Sequence, residues 1–342
     1  MSIDVTYHDT LGWEKAIYID VRSPKEFAED HIPQSINIPI LDDDQRQIVG
    51  TLYKQQGKEV ATLRGIELVL PSLEKKIRQF HLLSHQGPLV LYCWRGGLRS
   101  KSMADILSAT DMEVYRLIGG YKAYRKSLIE DLDKMPLPPF YSLYGLTGTG
   151  KTKIIQALES RGVQILDLEA YANHRGSVFG SVGLGEQPSQ KRFETILYSK
   201  LRALDLHKPV VVEGESSRIG RIIIPQRIFA HLLSSKRILI YDEITNRAHR
   251  IVEEYSGKNT QEELIESVGF LTRRLGANHV KRLIGAIQEK RYLSVVEELL
   301  VKYYDPLYHH PNSPSSDYEA SICSNSIDQA ADTIQILLNK GE

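Results

Sequence analysis

Residues 145–152 read Gly-Leu-Thr-Gly-Thr-Gly-Lys-Thr, which matches the phosphate-binding pattern G-x-x-x-x-G-K-[ST] at every fixed position. The residues before this stretch, Phe140–Tyr144, have the apolar character of a short strand, and a helical pattern begins at Lys151. In that context the glycines let backbone N–H groups surround a phosphate chain, and the positive end of the helix adds to the attraction. The motif therefore predicts a P-loop that binds a diphosphate group, without specifying what the diphosphate carries.

Several residues in and after this motif are candidates for binding a phosphate-bearing ligand. Lys151 would neutralise the terminal phosphates, and Thr152 would ligate Mg²⁺. Glu213 ends an apolar run, where a carboxylate often holds Mg²⁺ through water, and Asp167 and Glu215 are alternatives for that role. For each carboxylate, a surface or helix-capping role is the other interpretation. The predicted binding residues are Gly145, Gly148, Thr149, Gly150, Lys151, Thr152, Arg175 and Glu213.

A second distinctive stretch, Cys93-Trp-Arg-Gly-Gly-Leu-Arg-Ser100, follows the strand-like run Pro88–Tyr92 and precedes a helical pattern. Such a turn wraps backbone amides around the sulfur, and the helix N-terminus and nearby arginines favour the nucleophilic thiolate. Most cysteines are instead small buried hydrophobic residues, which is the reading we expect for Cys323. The glycines and arginines around the first cysteine favour a reactive thiol, and the predicted catalytic residues are Cys93, Arg95, Gly96, Gly97 and Arg99.

Both halves of the chain alternate strand-like and helical patterns, and the length of 342 residues favours two domains. The segment Lys134-Met-Pro-Leu-Pro-Pro-Phe140 between them contains three prolines, which restrict the chain to extended conformations. We therefore predict a first domain at residues 1–133, a linker at 134–140 and a second domain at 141–342 with a helical C-terminal region. The expected fold class is α/β with mostly parallel sheets in both domains.

The composition limits the classes of function. Lys plus Arg and Asp plus Glu both total 43, so the net charge gives no overall support for nucleic-acid binding. Two widely separated cysteines argue against a structural disulfide, and no metal-ligand spacing is present. No apolar run is long enough to cross a bilayer, and the N-terminal residues lack a signal-peptide pattern. We expect a cytoplasmic protein that has no membrane partner.

The segment Ile19–Pro39 resembles the opening motif of rhodanese-like domains, with Asp-Val-Arg, Glu-Phe, His-Ile-Pro and Asn-Ile-Pro in order. It departs from that motif at Asp30 and at Gln34-Ser35, where glycine and Gly-Ala are usual. Rhodanese-like domains carry sulfur or selenium on the loop cysteine as a persulfide or perselenide. The resemblance also implies that Asp20 and Arg22 are structural and fix the first strand to the loop after it.

The spacing from Cys93 to Arg99 fits C-x5-R-S, one residue longer than in most rhodaneses and equal to that of cysteine phosphatases. A larger loop suits a tetrahedral oxyanion. Phosphate esters and selenophosphate both have that shape, and the spacing does not separate them.

Taken together, the two motifs and three later segments closely resemble the tRNA 2-selenouridine synthase family over nearly the whole chain. The later segments are Asp-Leu-Glu-Ala-Tyr-Ala-Asn-His-Arg-Gly-Ser-Val-Phe-Gly at 167–180, Val-Val-Val-Glu-Gly-Glu-Ser-Ser-Arg-Ile-Gly at 210–220 and Tyr-Tyr-Asp-Pro-Leu-Tyr at 303–308. The resemblance implies that wobble 2-thiouridine in tRNA is S-geranylated with geranyl diphosphate and then selenated with selenophosphate through a Cys93 perselenide. The P-loop would hold the leaving diphosphate with Mg²⁺, and Arg95 and Arg99 would bind selenophosphate oxygens.

The partners implied by this resemblance are the anticodon stem-loop of a tRNA and, as a candidate, an enzyme that produces selenophosphate. Basic side chains would supply phosphate contacts that carry no sequence information, although a solvated helix face is the alternative reading for each. Trp94 is a candidate for stacking on a splayed base. The predicted tRNA contacts are Arg218, Arg221, Arg273, Arg274, Lys281 and Arg282.

Three other functions fit parts of the pattern. The first is a C-x5-R phosphatase joined to a nucleotide-binding domain, which would need a general-acid carboxylate near the loop. The second is a sulfurtransferase whose P-loop domain uses ATP to activate an acceptor. The third is an RNA-binding protein in which both loops only bind anions, although a binding loop needs no thiolate. The sequence alone does not locate a geranyl pocket or give the oligomeric state.

Overall fold

The computed structural model describes residues 3–177, 179–214, 216–255, 261–308 and 310–339, which divide into two compact units. The first unit comprises the chain up to Lys134 together with Glu194–Ser199. The second comprises Met135–Phe193 and the chain from Lys200 onward. None of the helices within these described ranges is both long enough and apolar enough to cross a membrane.

The first unit is a five-stranded parallel sheet with helices between its strands. The strand order is β1-β5-β4-β2-β3. Its elements in chain order are β1 (Ile3–Val5), α1 (Tyr7–Thr10), β2 (Ile17–Asp20), α2 (Pro24–Glu29), β3 (Ile36–Asn37), α3 (Asp43–Gln56), α4 (Lys58–Ser84), β4 (Leu89–Tyr92), α5 (Leu98–Ser108), β5 (Val114–Leu117) and α6 (Gly120–Lys134).

The second unit contains another five-stranded parallel sheet, in the order β12-β11-β6-β8-β7, together with a two-stranded hairpin. The elements of this half of the chain are β6 (Phe140–Tyr144), α7 (Lys151–Ser160), β7 (Gln164–Leu166), α8 (Leu168–Ala172), α9 (Gln190–Arg202), β8 (Val210–Glu213), β9 (Arg218–Ile219), β10 (Ile222–Ile223), α10 (Gln226–Leu233), β11 (Lys236–Tyr241), α11 (Ile244–Tyr255), α12 (Gln261–Gly269), α13 (Thr272–Leu275), α14 (Ala277–Gln288), α15 (Tyr292–Leu299), a π-helix (Leu300–Tyr304), β12 (Ala320–Cys323) and α16 (Ile327–Asn339).

These elements confirm the predicted α/β class with a parallel sheet in each half. Strand β6 and the start of α7 lie where the sequence predicts them, and β4 is one residue shorter than the predicted run Pro88–Tyr92. The helical region after Ile244 is confirmed as well and forms its own apolar core. Both sequence motifs follow the carboxyl end of a buried central strand, the edge at which parallel α/β sheets usually bind ligands.

A buried ion pair fixes the start of the first sheet. The Arg22 guanidinium donates to both carboxylate oxygens of Asp20, with its shortest contact at 2.6 Å, and neither side chain is more than 1% exposed. Arg22 also donates to the carbonyl oxygen of Asp30 at 2.7 Å and lies 4.0 Å from the ring centre of Tyr121. The pair thus joins the end of β2 to the following loop, the structural role that the sequence predicts.

Replacing Asp20 with Ala should lower the free energy of unfolding of the first unit by about 3–5 kcal/mol, because Arg22 would be left as an unpaired buried cation. Both tryptophans of the chain, Trp13 and Trp94, lie in this unit, so urea unfolding followed by tryptophan fluorescence reports on it. The matched control is Glu74→Ala, which removes an exposed pair with Arg78 and should change stability by less than about 1 kcal/mol. Equal effects of the two substitutions would contradict the prediction.

Candidate active sites in the two units

Cys93 directly follows β4, and its side chain is buried. The Ser100 hydroxyl in the first turn of α5 donates a hydrogen bond to the Sγ atom at 3.2 Å, and the Gly97 carbonyl oxygen lies 4.0 Å from Sγ. Gly97 is the N-cap residue of α5, and no side chain caps that helix end. The thiol therefore lies beside an uncapped helix N-terminus, an environment that attracts anions.

Groups from α6 and β5 hold the backbone of the cysteine loop through hydrogen bonds to its carbonyl oxygens. The N–H of Tyr121 donates to the carbonyl of Cys93 at 2.9 Å, and the N–H of Lys122 donates to that of Trp94 at 3.0 Å. The Arg116 guanidinium donates to the Gly96 carbonyl at 3.3 Å. The first turn of α6 and the side chain from β5 thus fix the path of the loop around Sγ.

Arg99 forms a two-point ion pair with Glu26 of α2, at 2.6 and 3.2 Å. The same carboxylate accepts a hydrogen bond from the N–H of Ser23 at 3.1 Å and lies 3.6 Å from the Arg46 guanidinium. Burial pushes the pKa of Glu26 upward, but the hydrogen bond and charge of Arg99 outweigh burial and hold the pKa below its ordinary value. Arg95, by contrast, is exposed to solvent.

The P-loop connects β6 to α7 at the predicted residues. Gly145 has φ 153°, and a side chain there would lie 2.1 Å from the carbonyl oxygen of Ile240, so only glycine fits. The Thr149 side chain is fully buried, and its hydroxyl donates to the Leu146 carbonyl at 2.9 Å. The Lys151 ammonium donates to the Gly145 carbonyl at 3.0 Å, which places its charge at the loop.

Two carboxylates converge on Thr152. Its hydroxyl lies 3.1 Å from an oxygen of Glu213 and 3.3 Å from an oxygen of Glu169, and the backbone N–H of Glu169 donates to Glu213 at 3.2 Å. Such hard oxygen ligands suit Mg²⁺, which usually keeps several waters and takes phosphate oxygens as further ligands. Within the described ranges no group of three or more His, Cys, Asp or Glu side chains is arranged to hold a metal. Two carboxylates and one hydroxyl are a donor set for a partly hydrated Mg²⁺.

Asp167 caps a helix, which is one of the two roles that the sequence predicts for it. Its carboxylate accepts a hydrogen bond from the backbone N–H of Ala170 at 2.8 Å and caps α8, and burial raises its pKa. Glu215, the other alternative to Glu213, lies outside the described residues.

Two arginines of α11 bind the P-loop backbone. Arg247 is fully buried, donates to the Thr147 carbonyl at 2.8 Å and pairs with both carboxylate oxygens of Asp305 at 2.5 and 3.0 Å. Arg250 donates to the Gly148 carbonyl at 3.2 Å. Because Asp305 directly follows the π-helix, the Arg247 pair connects that helix to the P-loop.

A cavity of about 580 Å³ in the second unit includes the P-loop in its lining. Its polar lining includes Gly145, Gly148, Gly150, Lys151, Thr152, Glu169, Arg175 and Arg250. Its apolar lining comes from Phe179 in the segment after α8 and from the helical region, with Ile251, Leu264, Val268, Ile287, Tyr292, Val295, Val296, Leu299, Leu300 and Tyr304. One cavity thus offers a phosphate-binding region and an aliphatic wall.

Arg175 lies in the wall of this cavity, in the segment after α8. It forms an ion pair with Glu254, donates to the Val182 carbonyl at 2.8 Å and lies 4.9 Å from the ring centre of Tyr255. Its charge is therefore matched by a carboxylate, although the residue belongs to the predicted phosphate-binding set.

The predicted tRNA contacts lie on three parts of the second unit. Arg218 and Arg221 are exposed on the β9–β10 hairpin, Arg273 and Arg274 lie in α13, and Lys281 and Arg282 lie in α14. Arg282 forms a 2.5 Å ion pair with Glu298, and the resulting hydrogen bond lowers the pKa of Glu298 to about 2.

Sequence reasoning missed Glu26, Glu169 and the two arginines of α11, and it did not locate the apolar cavity. Glu169 lies in the segment 167–180 that resembles the family, and its position two residues after Asp167 is a signal that sequence reasoning could have used. Glu26 and Arg247 acquire their roles from partners 73 and 58 residues away, which no local pattern reveals.

Comparison with known proteins agrees with this arrangement. Residues 6–127 match the family model of the rhodanese-like domain, and residues 138–337 match that of the tRNA 2-selenouridine synthase AAA domain. The predicted combination of a rhodanese-like and a P-loop-type domain is therefore confirmed.

Three curated relatives bear the name tRNA 2-selenouridine synthase. The one from Psychromonas ingrahamii is 32% identical over 332 residues, covering 89% of this chain and 90% of the relative. The one from Bordetella petrii is 33% identical and covers 92% of each chain, and the one from Nitrosomonas europaea is 40% identical over 69% of this chain and 63% of the relative. The chain therefore belongs to the tRNA 2-selenouridine synthase family of enzymes.

Proposed function

We propose that the protein converts 2-thiouridine in tRNA to 2-selenouridine by S-geranylation with geranyl diphosphate, followed by selenation with selenophosphate. The name shared by the curated relatives supports the tRNA substrate and the selenated product, since two of them match about 90% of this chain. The cavity of the second unit supports the geranylation step. The cysteine loop of the first unit supports the selenation step.

The observation that carries the proposal is the continuity of the P-loop with an apolar cavity. A prenyl diphosphate joins a diphosphate to an aliphatic chain, and this cavity offers a matching wall for each part. A nucleotide base would instead present polar edges to side chains such as Val296 and Leu299. Each buried CH₂ contributes about 0.8 kcal/mol, so the aliphatic wall would supply much of the affinity for a geranyl chain.

At the phosphate end, backbone amides of the P-loop and the Lys151 ammonium bind the diphosphate as it leaves. Lys151 exchanges its contact with the Gly145 carbonyl for the diphosphate oxygens, which carry full negative charge. Thr152, Glu213 and Glu169 would hold Mg²⁺, which supplies further positive charge beside the diphosphate.

The first step converts the thiocarbonyl sulfur of the base, which is a poor leaving group, into a thioether sulfur, which is a better one. The thiocarbonyl sulfur of the base attacks C1 of the geranyl chain, the C1–O bond breaks, and the diphosphate departs with the bonding electrons. The base loses its N3 proton to solvent, so the S-alkylated product is neutral. The sulfur at C2 is then a thioether, which can leave as geranyl thiol. Splitting a difficult exchange into two easier displacements is the general advantage of such an intermediate.

The second step takes place at the cysteine loop. Selenium from selenophosphate replaces the geranylated sulfur, and the family resemblance implies that Cys93 is the residue that reacts with the selenium donor. The uncapped helix N-terminus beside the thiol and the guanidinium of Arg99 are groups that can hold the tetrahedral anion.

Basic residues on the second unit are proposed to bind the tRNA backbone. Arg218 and Arg221 on the hairpin and Arg273 in α13 are exposed, as phosphate contacts must be. Such contacts would provide affinity and orientation, while the choice of base would come from groups around the thiouridine itself.

Nucleoside mass spectrometry on a 2-thiouridine-containing anticodon stem-loop tests the proposal. With geranyl diphosphate, Mg²⁺ and selenophosphate, the wild type should produce 2-selenouridine. Cys93→Ala should stop at the geranylated base, and Lys151→Ala should leave thiouridine unchanged because the diphosphate is no longer neutralised. Cys323→Ala and Lys126→Ala, which change a thiol and an exposed ammonium outside both motifs, should behave as the wild type.

The other readings of the sequence predict different products. If the wild type makes neither modified base but releases phosphate from a generic ester, the loop is that of a phosphatase. If it transfers sulfur and hydrolyses ATP in the presence of a sulfur acceptor, the P-loop serves a nucleotide.

Filling the apolar cavity should weaken geranyl binding without affecting the phosphate end. Val296→Trp adds bulk to the aliphatic wall, so the KM for geranyl diphosphate should rise on the order of tenfold or more. Inhibition by inorganic diphosphate, which uses only the P-loop, should stay within about twofold. The measurement is the initial rate of geranylation at varied geranyl diphosphate and diphosphate concentrations.

Val301→Trp is the matched control, because Val301 is 56% exposed on the neighbouring π-helix and does not line the cavity. An equal rise in KM for both variants, or equal loss of geranyl diphosphate and diphosphate binding in Val296→Trp, would show that the apolar wall does not hold the chain.

A further inference from the structure

The electron balance of selenium transfer limits what Cys93 can do. In selenophosphate the selenium is at the selenide level and the phosphorus at the phosphate level. If the thiolate took up the selenium as a perselenide, an S–Se bond would form and the P–Se electron pair would stay on phosphorus. Phosphorus would then leave as phosphite, and phosphate would form only with an added oxidant.

Attack on phosphorus needs no oxidant. The donor is hydrogen selenophosphate with its proton on selenium. The thiolate of Cys93 forms an S–P bond, the P–Se bond breaks, and its electron pair leaves on selenium as hydroselenide, which keeps that proton. Water then cleaves the S–P bond, which releases phosphate and regenerates the thiolate. Selenium stays at the selenide level and phosphorus at the phosphate level throughout, so neither an oxidant nor a reductant is needed.

The contacts of Sγ suit this reaction. Ser100 donates a hydrogen bond to Sγ at 3.2 Å, so it can stabilise the sulfur as the thiolate that departs when the S–P bond is hydrolysed. Arg99, six residues after Cys93, has five N–H donors, and its two hydrogen bonds to Glu26 leave others for phosphoryl oxygens. The loop also ends at the uncapped N-terminus of α5.

The ionisation state of Glu26 determines which phosphoryl donors can react at the cysteine loop. Phosphate esters have alkoxide leaving groups, which need a proton from a general acid. Arg99 and the N–H of Ser23 hold Glu26 in its ionised form, so this carboxylate has no proton to donate. The hydrogen-bond partners of Sγ within the described residues are Ser100 and Gly97 and include no carboxylate. Hydrogen selenide is a far stronger acid than an alcohol, so hydroselenide, which already carries the proton of the selenophosphate, departs without a further proton from a general acid.

We infer that Cys93 accepts the phosphoryl group of selenophosphate as a cysteinyl phosphate and thereby releases hydroselenide for the geranylated base. Hydroselenide attacks C2, the C2–S bond breaks, and the geranyl thiolate takes up the proton from selenium. The inference rests on the proposed function, because it takes selenophosphate as the donor. Ser100 is a positioning residue for the second half of the reaction.

Mass spectrometry of the full chain after acid quenching tests the cysteinyl phosphate. With selenophosphate alone, the peptide containing Cys93 should gain the mass of one phosphoryl group, and phosphorus NMR should show phosphate. Ser100→Ala should accumulate the phosphorylated form on the order of tenfold above wild type, because the departing thiolate loses its hydrogen bond. Cys323→Ala should behave as the wild type. Selenium mass on Cys93, or phosphite in solution, would overturn the inference.

Chemical rescue separates this inference from the proposed function. Cys93→Ala, given hydroselenide without oxygen and a geranylated thiouridine stem-loop, should form 2-selenouridine faster than the same mixture without protein. Equal rates with and without the variant would overturn the inference. If the wild type makes 2-selenouridine while Cys93→Ala consumes selenophosphate at the wild-type rate, the inference alone fails. If the wild type makes no 2-selenouridine from any of these substrates, the proposed function itself fails.

Discussion

The guanidinium of Arg247 is buried in the second unit, where it bonds to the P-loop carbonyl of Thr147 and to the carboxylate of Asp305. A buried cation without its partner is strongly destabilising, so the loop, helix α11 and the end of the π-helix must be in place together. The π-helix supplies part of the cavity wall. One charge pair therefore fixes the spacing between the phosphate-binding region and the aliphatic wall, which a substrate with both parts requires.

Local sequence was sufficient for the elements that carry both motifs. Strand β6, the P-loop and the start of α7 follow from an apolar run, three glycines and a helical pattern that are contiguous in the chain. Strand β12 was not predicted, because Ala320–Cys323 is four residues long and is defined by its pairing with β11. Helix α4 was not assigned either, and Pro71 in its interior interrupts the sequence signature of a long helix.

The two candidate active sites also contain some residues that local sequence reveals and others that only the fold brings together. The motif residues themselves, such as Cys93 and Lys151, are recognisable from spacing. The groups that set their environment are not, because Glu26 reaches Arg99 through the packing of α2 against the loop and Glu169 reaches Thr152 from the segment after β7. The apolar cavity needs five helical segments to assemble, and each of them is an ordinary amphipathic helix when read alone.

The outward anchoring of the cysteine loop has a consequence for selectivity. Because the carbonyl oxygens of Cys93, Trp94 and Gly96 accept hydrogen bonds from α6 and Arg116, their lone pairs are engaged on the outer side of the loop. With these three carbonyl acceptors engaged, the loop presents less negative charge to a tetrahedral anion, and sulfate and phosphate share the shape and charge of selenophosphate. Binding strength then offers little discrimination among them. In the proposed reaction, the selenium donor would be selected by reactivity, since only an anion whose phosphorus carries a ready leaving group would be consumed, while sulfate and phosphate would bind and dissociate unchanged.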